Sequence, residues 1–300
     1  MLSDAPEAKA GGEDRGYFPS GESVLRRVQG ERAVGLLYGQ RALIMGALDA
    51  RNYVGTAEHS RYRDRPFKRL AATGKMFETV FFGSRAEADR VLEVVSRLHG
   101  PVEGELGADG GAFSPGTRYS AFDPELMLWT IAVAAESAAT FYELLVGRLS
   151  EWERDDFWAD WVRFGELFGM DPGVAPVGWR DFRDWYDGRL ASDEMGLTEE
   201  ARHVGRGVAF RIPVPRIESA GLEVHNLVLL GSLQPRVREL YGLPWDPARE
   251  IAYRAATRAI RTSRPLSPRS LARGRNGGRF DKVARTEALR IEQGRPPIPL

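Results

Sequence analysis

The sequence predicts an all-α protein folded as a single compact multi-helix domain. Apolar residues recur at three- and four-residue spacing in segment after segment, which is the period of a helix with one buried face. Helix-start signals precede several of these segments. No segment shows sustained alternation of apolar and polar residues between paired turns, as the strands of a sheet would. Three hundred residues with a hydrophobic fraction of 43% are enough for a substantial core.

Composition excludes several classes of protein. The 42 basic and 42 acidic residues balance, so nucleic acid is not an expected partner. The absence of cysteine excludes disulfides, thiolate metal sites, thiolate-ligated heme and iron–sulfur clusters. Residues 1–17 are polar, lack the apolar stretch of a secretory signal, and are expected to be disordered. These features predict a cytoplasmic protein.

Two helices are predicted near the N-terminus. Ser20 precedes a short one, ESVLRRVQ, which ends at Gly30. The next, ERAVGLLYGQRALIMGAL, contains Gly35, Gly39 and Gly46 although each glycine costs a helix about 1 kcal/mol relative to alanine. Such glycines indicate close approach by a neighbour. Tight packing of another helix is the favoured interpretation, and a flat ligand is the alternative.

A third pattern carries the first candidate site residues. Asp64 and Pro66 mark the start of a helix, because proline is tolerated in the first turn. Its predicted buried stripe comprises Leu70, Gly74, Phe77 and Phe81. Arg69 and Thr73 lie one turn apart along the edge of this stripe, so their side chains are expected to lie on the same side of the helix.

The following helix carries a candidate histidine. Ser84 and Glu87 have the spacing of a capping box, in which each side chain binds a free backbone N–H group. The predicted apolar stripe comprises Ala88, Val91, Leu92, Val95, Leu98 and Val102. His99 falls within that stripe and should be buried. A buried imidazole without a partner costs on the order of 1–3 kcal/mol, so we expect it to be bonded, either within the core or to a metal.

Residues 105–122, rich in Gly and Ser, form a predicted surface loop. Asp123, Pro124 and Glu125 then start a long helix. Its apolar run, residues 126–146, is long enough to suggest a membrane span. Glu136 and Ser137 at its centre instead favour a helix buried in protein, and no transmembrane segment is predicted.

The remaining pattern is also helical up to residue 262. Ser150 and Glu153 repeat the capping box before an aromatic face made by Phe157, Trp161, Phe164 and Phe168. Further helices are predicted at residues 179–190, 198–208, 222–230 and 247–261. Residues 263–300 are predicted to be a basic, loosely structured tail. A solvated tail, or one packed on the protein's own acidic surface, is favoured over contact with nucleic acid or acidic lipid.

The other histidines have weaker patterns. Glu200 and His203 have the Glu-x-x-His spacing of di-iron bundles, but such sites need two copies and the sequence has one. His225 lies in an apolar run and is interpreted as a core histidine with a satisfied partner. The sequence has no His-Glu-x-x-His zinc motif, no Gly-rich phosphate loop and no Gly-x-Ser-x-Gly elbow.

The order of motifs resembles the MpaB-like and latex-clearing-protein (rubber oxygenase) catalytic-domain family. The resemblance rests on AEHSRYRDRPFKRLAATGKMFETVFFGSRAEADRV, VSRLHGPVEG, YSAFDPELMLWTIAVAAESA, LSEWERDDFWADWVRFGELFG and LQPRVRELYGLPW. Members are all-helical and bind heme b, and the characterised ones cleave carbon–carbon double bonds of isoprenoids with dioxygen.

The resemblance implies a role for each candidate residue. His99 would ligate the iron of a heme held between helices, and Arg69 and Thr73 would be catalytic residues on the dioxygen side. His59 and Arg61 would lie near the heme edge.

This chain departs from the family at two places. Ala72 replaces a lysine that can occupy the distal iron position in the rubber oxygenases. LDARNYVG stands where many relatives have a His-Pro pair. The distal side of the heme is therefore expected to be open.

The resemblance thus implies a heme b-dependent oxygenase, its catalytic domain at residues 18–262, that uses dioxygen on an apolar small molecule, such as an isoprenoid or another alkene-containing compound. A non-catalytic heme- or lipid-binding protein of the same fold is the alternative. Peripheral contact with a membrane is compatible with such substrates.

Overall fold

The computed structural model of the chain describes residues 15–59 and 64–296, and nearly all of their regular structure is helical, as predicted. The first seven helices are α1 (Val24–Gln29), α2 (Arg32–Gly46), α3 (Ala50–Glu58), α4 (Pro66–Phe82), α5 (Arg85–His99), α6 (Pro124–Leu145) and α7 (Glu151–Leu167). The next seven are α8 (Gly178–Ala191), α9 (Glu199–Phe210), α10 (Ser219–Gly231), α11 (Pro235–Leu240), α12 (Pro247–Ser263), α13 (Arg269–Ala272) and α14 (Gly277–Glu292).

A short hairpin interrupts the predicted surface loop. Strand β1 (Glu103–Glu105) pairs with β2 (Arg118–Ser120) in antiparallel register, with Gly104 opposite Tyr119. Strands of three residues are too short to produce a recognisable alternation in the sequence. The hairpin follows directly after α5, so it continues the wall that α5 begins.

The start of α5 is confirmed in atomic detail, but its end differs from the prediction. The Ser84 N–H group donates to Glu87 Oε2 at 2.9 Å, and the Glu87 N–H group donates to Ser84 Oγ at 3.2 Å. The helix ends at His99, so Val102, predicted to continue the stripe, lies in the following turn. Leu98 is 46% exposed because its side of α5 lines a cavity instead of packing into the core.

Helix α6 is the centre of the core, as its sequence predicts. It packs against α2 and α7, and Trp129 is completely buried. Burial opposes the charge of Glu136, but Arg41 beside it lowers the pKa of this carboxyl group, and Arg183 adds an ion pair at 3.1 Å. The charged residue at the middle of α6 is therefore neutralised inside the protein. None of the helices in the described ranges is long and apolar enough to cross a membrane.

Helices α4 and α14 cap each other. The Glu287 carboxylate of α14 accepts the backbone N–H groups of Phe67 and Lys68 at 3.0 and 2.7 Å. In return, the Glu78 carboxylate of α4 accepts the N–H groups of Asn276 and Gly277 at the start of α14. The prediction of a loosely structured tail is therefore wrong for Gly277–Glu292. The apolar residues Phe280, Val283 and Ile291 of α14 lie at helical spacing, but the many basic and small residues around them favoured the tail interpretation.

The basic residues before α14 bind acids of the same chain. Arg264 and Arg273 both donate from Nε to the carboxylate of Glu31, at 3.0 and 2.8 Å, and Glu31 is only 2% exposed. At the other end, the Tyr17 hydroxyl donates to Asp89 at 2.6 Å, so the last residue of the predicted disordered N-terminal segment contacts α5. Residues 1–14 lie outside the described residues, and the division into domains stays a prediction.

Candidate functional site

A cavity of about 1770 Å³ lies among α2, α3, α4, α5, α6, α9, α10 and α14. Its walls are mostly apolar. His59, Arg69, Thr73 and His99, four of the five residues predicted for the site, all line it. Arg61 lies outside the described residues. A cavity of this volume exceeds the range of about 300–1,000 Å³ that is usual for small-molecule pockets, so it could hold a large cofactor together with a substrate.

His99 is the last residue of α5 and presents its ring to this cavity. The side chain is half-buried, and the edge of the ring meets Phe122 with the ring centroids 6.2 Å apart. Burial first, and then the positive charge of Arg69, lower the pKa of His99, so the ring is mainly neutral at pH 7. No hydrogen bond to the ring is formed by any described group. The helical period predicts a buried ring, and the half-buried position of His99 at the cavity departs from that prediction.

Arg69 and Thr73 occupy successive turns of α4, on the wall of the cavity. Burial lowers the pKa of Arg69, and Tyr53 opposes that shift, but a guanidinium remains a cation at pH 7. Ala72 also lines the cavity and is exposed. The structure therefore brings a cation, a hydroxyl and a neutral imidazole to one cavity.

His59 caps the C-terminal end of α3 and is held by a neighbour that the sequence analysis missed. The Tyr119 hydroxyl donates to Glu58 Oε2 at 2.6 Å and lies 3.4 Å from His59 Nε2. Burial first, and then the hydrogen bond with Glu58, raise the pKa of Tyr119 to about 12. Tyr119 is a single tyrosine in β2, and no local pattern connects it to a histidine 60 residues earlier.

The three glycines of α2 have different surroundings. At Gly35 an added Cβ would collide with the Asn276 side chain, and at Gly46 it would touch Val133 at 3.7 Å. Gly35 therefore permits tight packing against Asn276, whereas a Cβ at Gly46 would make only an ordinary contact. At Gly39 it would meet nothing within 4 Å, and Gly39 lines the cavity. Gly39 therefore leaves space on the cavity wall.

His225 is the residue whose role the sequence analysis missed. It was interpreted as a satisfied core histidine, and this is wrong. Its Nε2 atom is buried without a hydrogen-bond partner in the described structure, and the residue lines the cavity from α10. Burial lowers the pKa of His225 to about 4. The signal available in the sequence was an imidazole in an apolar helix, which is also what a core histidine produces.

His203, by contrast, lies on the exposed side of α9 and does not line the cavity, although Glu200 does. Within residues 15–59 and 64–296, no three His, Asp or Glu side chains are grouped closely enough to hold a metal ion by themselves. The single-copy Glu-x-x-His pattern therefore does not assemble a cluster of metal ligands there.

Comparisons with known proteins agree with the order of motifs. The chain is 26% identical over 204 residues to the uncharacterized protein Mb2261 of Mycobacterium bovis and equally to the uncharacterized protein Rv2237 of Mycobacterium tuberculosis. Each alignment covers 68% of this chain and 76% of the relative. No solved structure matches the chain significantly. The family model described as "ER-bound oxygenase mpaB/B'/Rubber oxygenase, catalytic domain" matches residues 26–262, and the chain therefore belongs to this oxygenase family.

Proposed function

We propose that this protein is a heme b-dependent oxygenase that uses dioxygen on an apolar, alkene-containing small molecule such as an isoprenoid. One observation carries the proposal. In a chain of an oxygenase family, a neutral imidazole without a hydrogen-bond partner, that of His99, faces a large apolar cavity beside the cation of Arg69.

The residues present fit a heme. A neutral imidazole is the commonest protein ligand of heme iron, and His99 is neutral and has no competing partner among the described groups. The propionates of heme need cations, and a guanidinium can bind a carboxylate through two hydrogen bonds. Arg69 supplies such a group inside the cavity. The open space at Gly39 and the apolar walls suit a flat hydrocarbon ring.

Each residue has a distinct part in the proposal. His99 would hold the iron, and bound heme would supply the redox chemistry that the protein's own side chains lack. Arg69 would provide positive charge for the propionates or for developing negative charge on oxygen, and Thr73 would provide a hydroxyl hydrogen bond. His59 and Arg61 would contact the porphyrin edge. Ala72 has no group that could ligate iron, so its position would leave the distal side open.

The lining of the cavity supports an apolar substrate. Leu, Val, Phe and Ile side chains predominate, and the wall beyond α4 is formed by an apolar cluster that includes Phe67, Val208 and Ile212. Burial of apolar surface would then provide most of the binding free energy, at roughly 25 cal/mol per Å².

An absorption spectrum tests the proposal. Purified protein supplemented with heme is expected to show a Soret band that shifts when imidazole is added. His99→Ala should lower the affinity for heme at least about tenfold, because loss of even an outer-shell partner of a metal ligand typically costs about 10–100-fold in affinity. His203→Ala, which removes an exposed histidine, is the matched control and should bind heme normally. Wild-type protein without a Soret band, or His99→Ala with an unchanged one, would contradict the proposal.

A non-catalytic carrier or sensor of heme or lipid is the second candidate, favoured by the volume and apolar lining of the cavity. Consumption of dioxygen discriminates between the two. An oxygenase consumes dioxygen only when an alkene is added, at a rate that falls in Arg69→Gln. A carrier instead transfers its heme to an acceptor such as apomyoglobin without consuming dioxygen.

A further inference from the structure

A second part of the cavity lies around His225 on α10. One helical turn before it, Leu222 belongs to an apolar cluster with Val204 of α9 and Val283 of α14, all of which line the cavity. One turn after it, Val228 belongs to the main core and also lines the cavity. His225 is thus a polar side chain on an otherwise apolar face of α10.

The imidazole of His225 has no hydrogen-bond partner in the described structure. Side-chain nitrogen or oxygen atoms that are buried without a partner occur in eight residues of the described ranges: Gln29, Trp161, Arg189, Arg202, His225, Asn226, Gln234 and Asn276. Of these eight residues, only His225 lines the cavity. A buried polar atom without a partner costs on the order of 1–3 kcal/mol, so a ligand that satisfied it would recover that free energy.

The chemistry of the ring selects the kind of partner. Burial keeps His225 neutral at pH 7, and no charged group contributes to that shift. A neutral imidazole has one N–H donor and one acceptor nitrogen, and either tautomer leaves Nε2 unsatisfied. A hydroxyl group can donate to one tautomer and accept from the other. An ionised group would have to be desolvated in an apolar environment without an opposite charge, which is costly.

We propose that His225 is a ligand-binding residue whose imidazole forms a hydrogen bond with the single hydroxyl of an otherwise hydrocarbon molecule. The hydrocarbon would lie against the apolar cluster, and the hydroxyl would lie at α10. The inference rests on the proposed function in taking this cavity as the substrate site, and it names the substrate class as an alcohol with a hydrocarbon chain.

Two probes that differ only in a hydroxyl test this inference. Citronellol and its parent hydrocarbon 2,6-dimethyl-2-octene are each used to displace the uncharged fluorescent dye N-phenyl-1-naphthylamine from the heme-supplemented protein. The ratio of the two affinities is measured in wild type and in His225→Phe. We expect the preference for the alcohol to fall about five- to tenfold in the variant, with the hydrocarbon affinity changed less than about twofold, because one neutral hydrogen bond is lost.

The controls distinguish a failure of this inference from a failure of the proposed function. His203→Phe, on the exposed side of α9, should leave the ratio unchanged. If His225→Phe fails to fold, His225→Leu is compared in the same way. An unchanged ratio in a folded variant would overturn the inference, since water would then satisfy His225 equally well. A fall in the ratio for His99→Phe instead would also overturn it. The Soret band reports independently on the proposed heme, so a protein without heme could still show the hydroxyl preference.

Discussion

The two cavity-lining histidines lie in contrasting surroundings. His99 ends α5, beside the cation of Arg69, and the polar hairpin that carries Tyr119 follows it in the chain. His225 lies in the middle of α10, between apolar clusters, and burial alone accounts for the shift of its pKa. Both rings are neutral at pH 7 and neither is bonded to a described residue, yet only His99 has a positive charge near it.

The two proposals therefore place two kinds of ligand in one cavity. The surroundings of His99 suit a group that carries negative charge, such as the propionates of heme, whereas those of His225 suit an uncharged hydroxyl. Helix α4 contributes to both parts through consecutive residues. The charge of Arg69 acts on His99, while Leu70 packs into the cluster that contains Leu222. One helix therefore determines how the two parts are placed relative to each other.

The largest effect should be on heme affinity, when the same substitution is made at each of the two histidines. We expect His99→Phe to lower heme affinity at least about tenfold, because the proposed iron ligand is removed, and His225→Phe to change it less than about twofold. Heme titration followed at the Soret band measures both. Loss of heme binding in His225→Phe with retention in His99→Phe would reverse the assignment of the two parts.

The next largest effect should be on the free energy of unfolding, when the Glu287 carboxylate that caps α4 is removed. Glu287→Ala leaves the buried N–H group of Phe67 and the part-buried N–H group of Lys68 without their acceptor, and we expect a loss of about 2–4 kcal/mol in the free energy of unfolding. Asp281→Ala is the matched control on the same helix. It breaks only an exposed ion pair with Lys75 and should cost less than about 1 kcal/mol. Denaturant midpoints measure the two variants, and equal values would mean that the caps on α4 contribute little.

The helical fold could be predicted because its signals are local. Pro66 in the first turn of α4, the Ser84–Glu87 capping box of α5 and the three- and four-residue spacing predict these two helices without knowledge of the rest of the chain. The stripe prediction fails at Leu98, since a sequence period cannot distinguish a packed core from the wall of a cavity. Helix α14 was missed because its capping contacts with α4 join residues about 200 positions apart.

The candidate site could be predicted only as far as family motifs extend. His99, Arg69 and Thr73 were identified from the resemblance, and the structure places them in one cavity. His225 was not, because apolar neighbours in sequence describe a satisfied core histidine and an unsatisfied cavity histidine equally well. The distinction depends on which atoms of α9, α10 and α14 surround the ring, and this is tertiary information.

The free energy of unfolding should depend on pH through the buried ring of His225. The pKa of His225 is about 4 in the folded protein and about 6.5 in the unfolded chain, so the unfolded chain binds the extra proton between these values. The free energy of unfolding is therefore highest above about pH 6.5, and it falls as the pH drops towards 4. At pH 5 the loss should be about 2 kcal/mol relative to pH 7, and His225→Phe should not show it. Urea unfolding at both pH values measures the difference. Equal acid sensitivity in wild type and variant would mean that the folded ring is not shielded from protons.

The smallest effect should be on the pKa of His99, when the cation of Arg69 that distinguishes its surroundings from those of His225 is removed. Burial is the larger cause of the lowered pKa of His99, and the cation of Arg69 is the second. Arg69→Gln removes the second cause only, so in the heme-free protein we expect the pKa of His99 to rise and still lie below that of an exposed histidine, because burial remains. Titration of the imidazole C–H signal by NMR measures this shift. Arg97→Gln is the matched control, because Arg97 lines the same cavity but does not contribute to the pKa of His99. A rise in both variants would indicate a diffuse field from many cations. A rise in neither would mean that burial alone keeps His99 neutral, as at His225, and the electrostatic contrast between the two parts would then disappear.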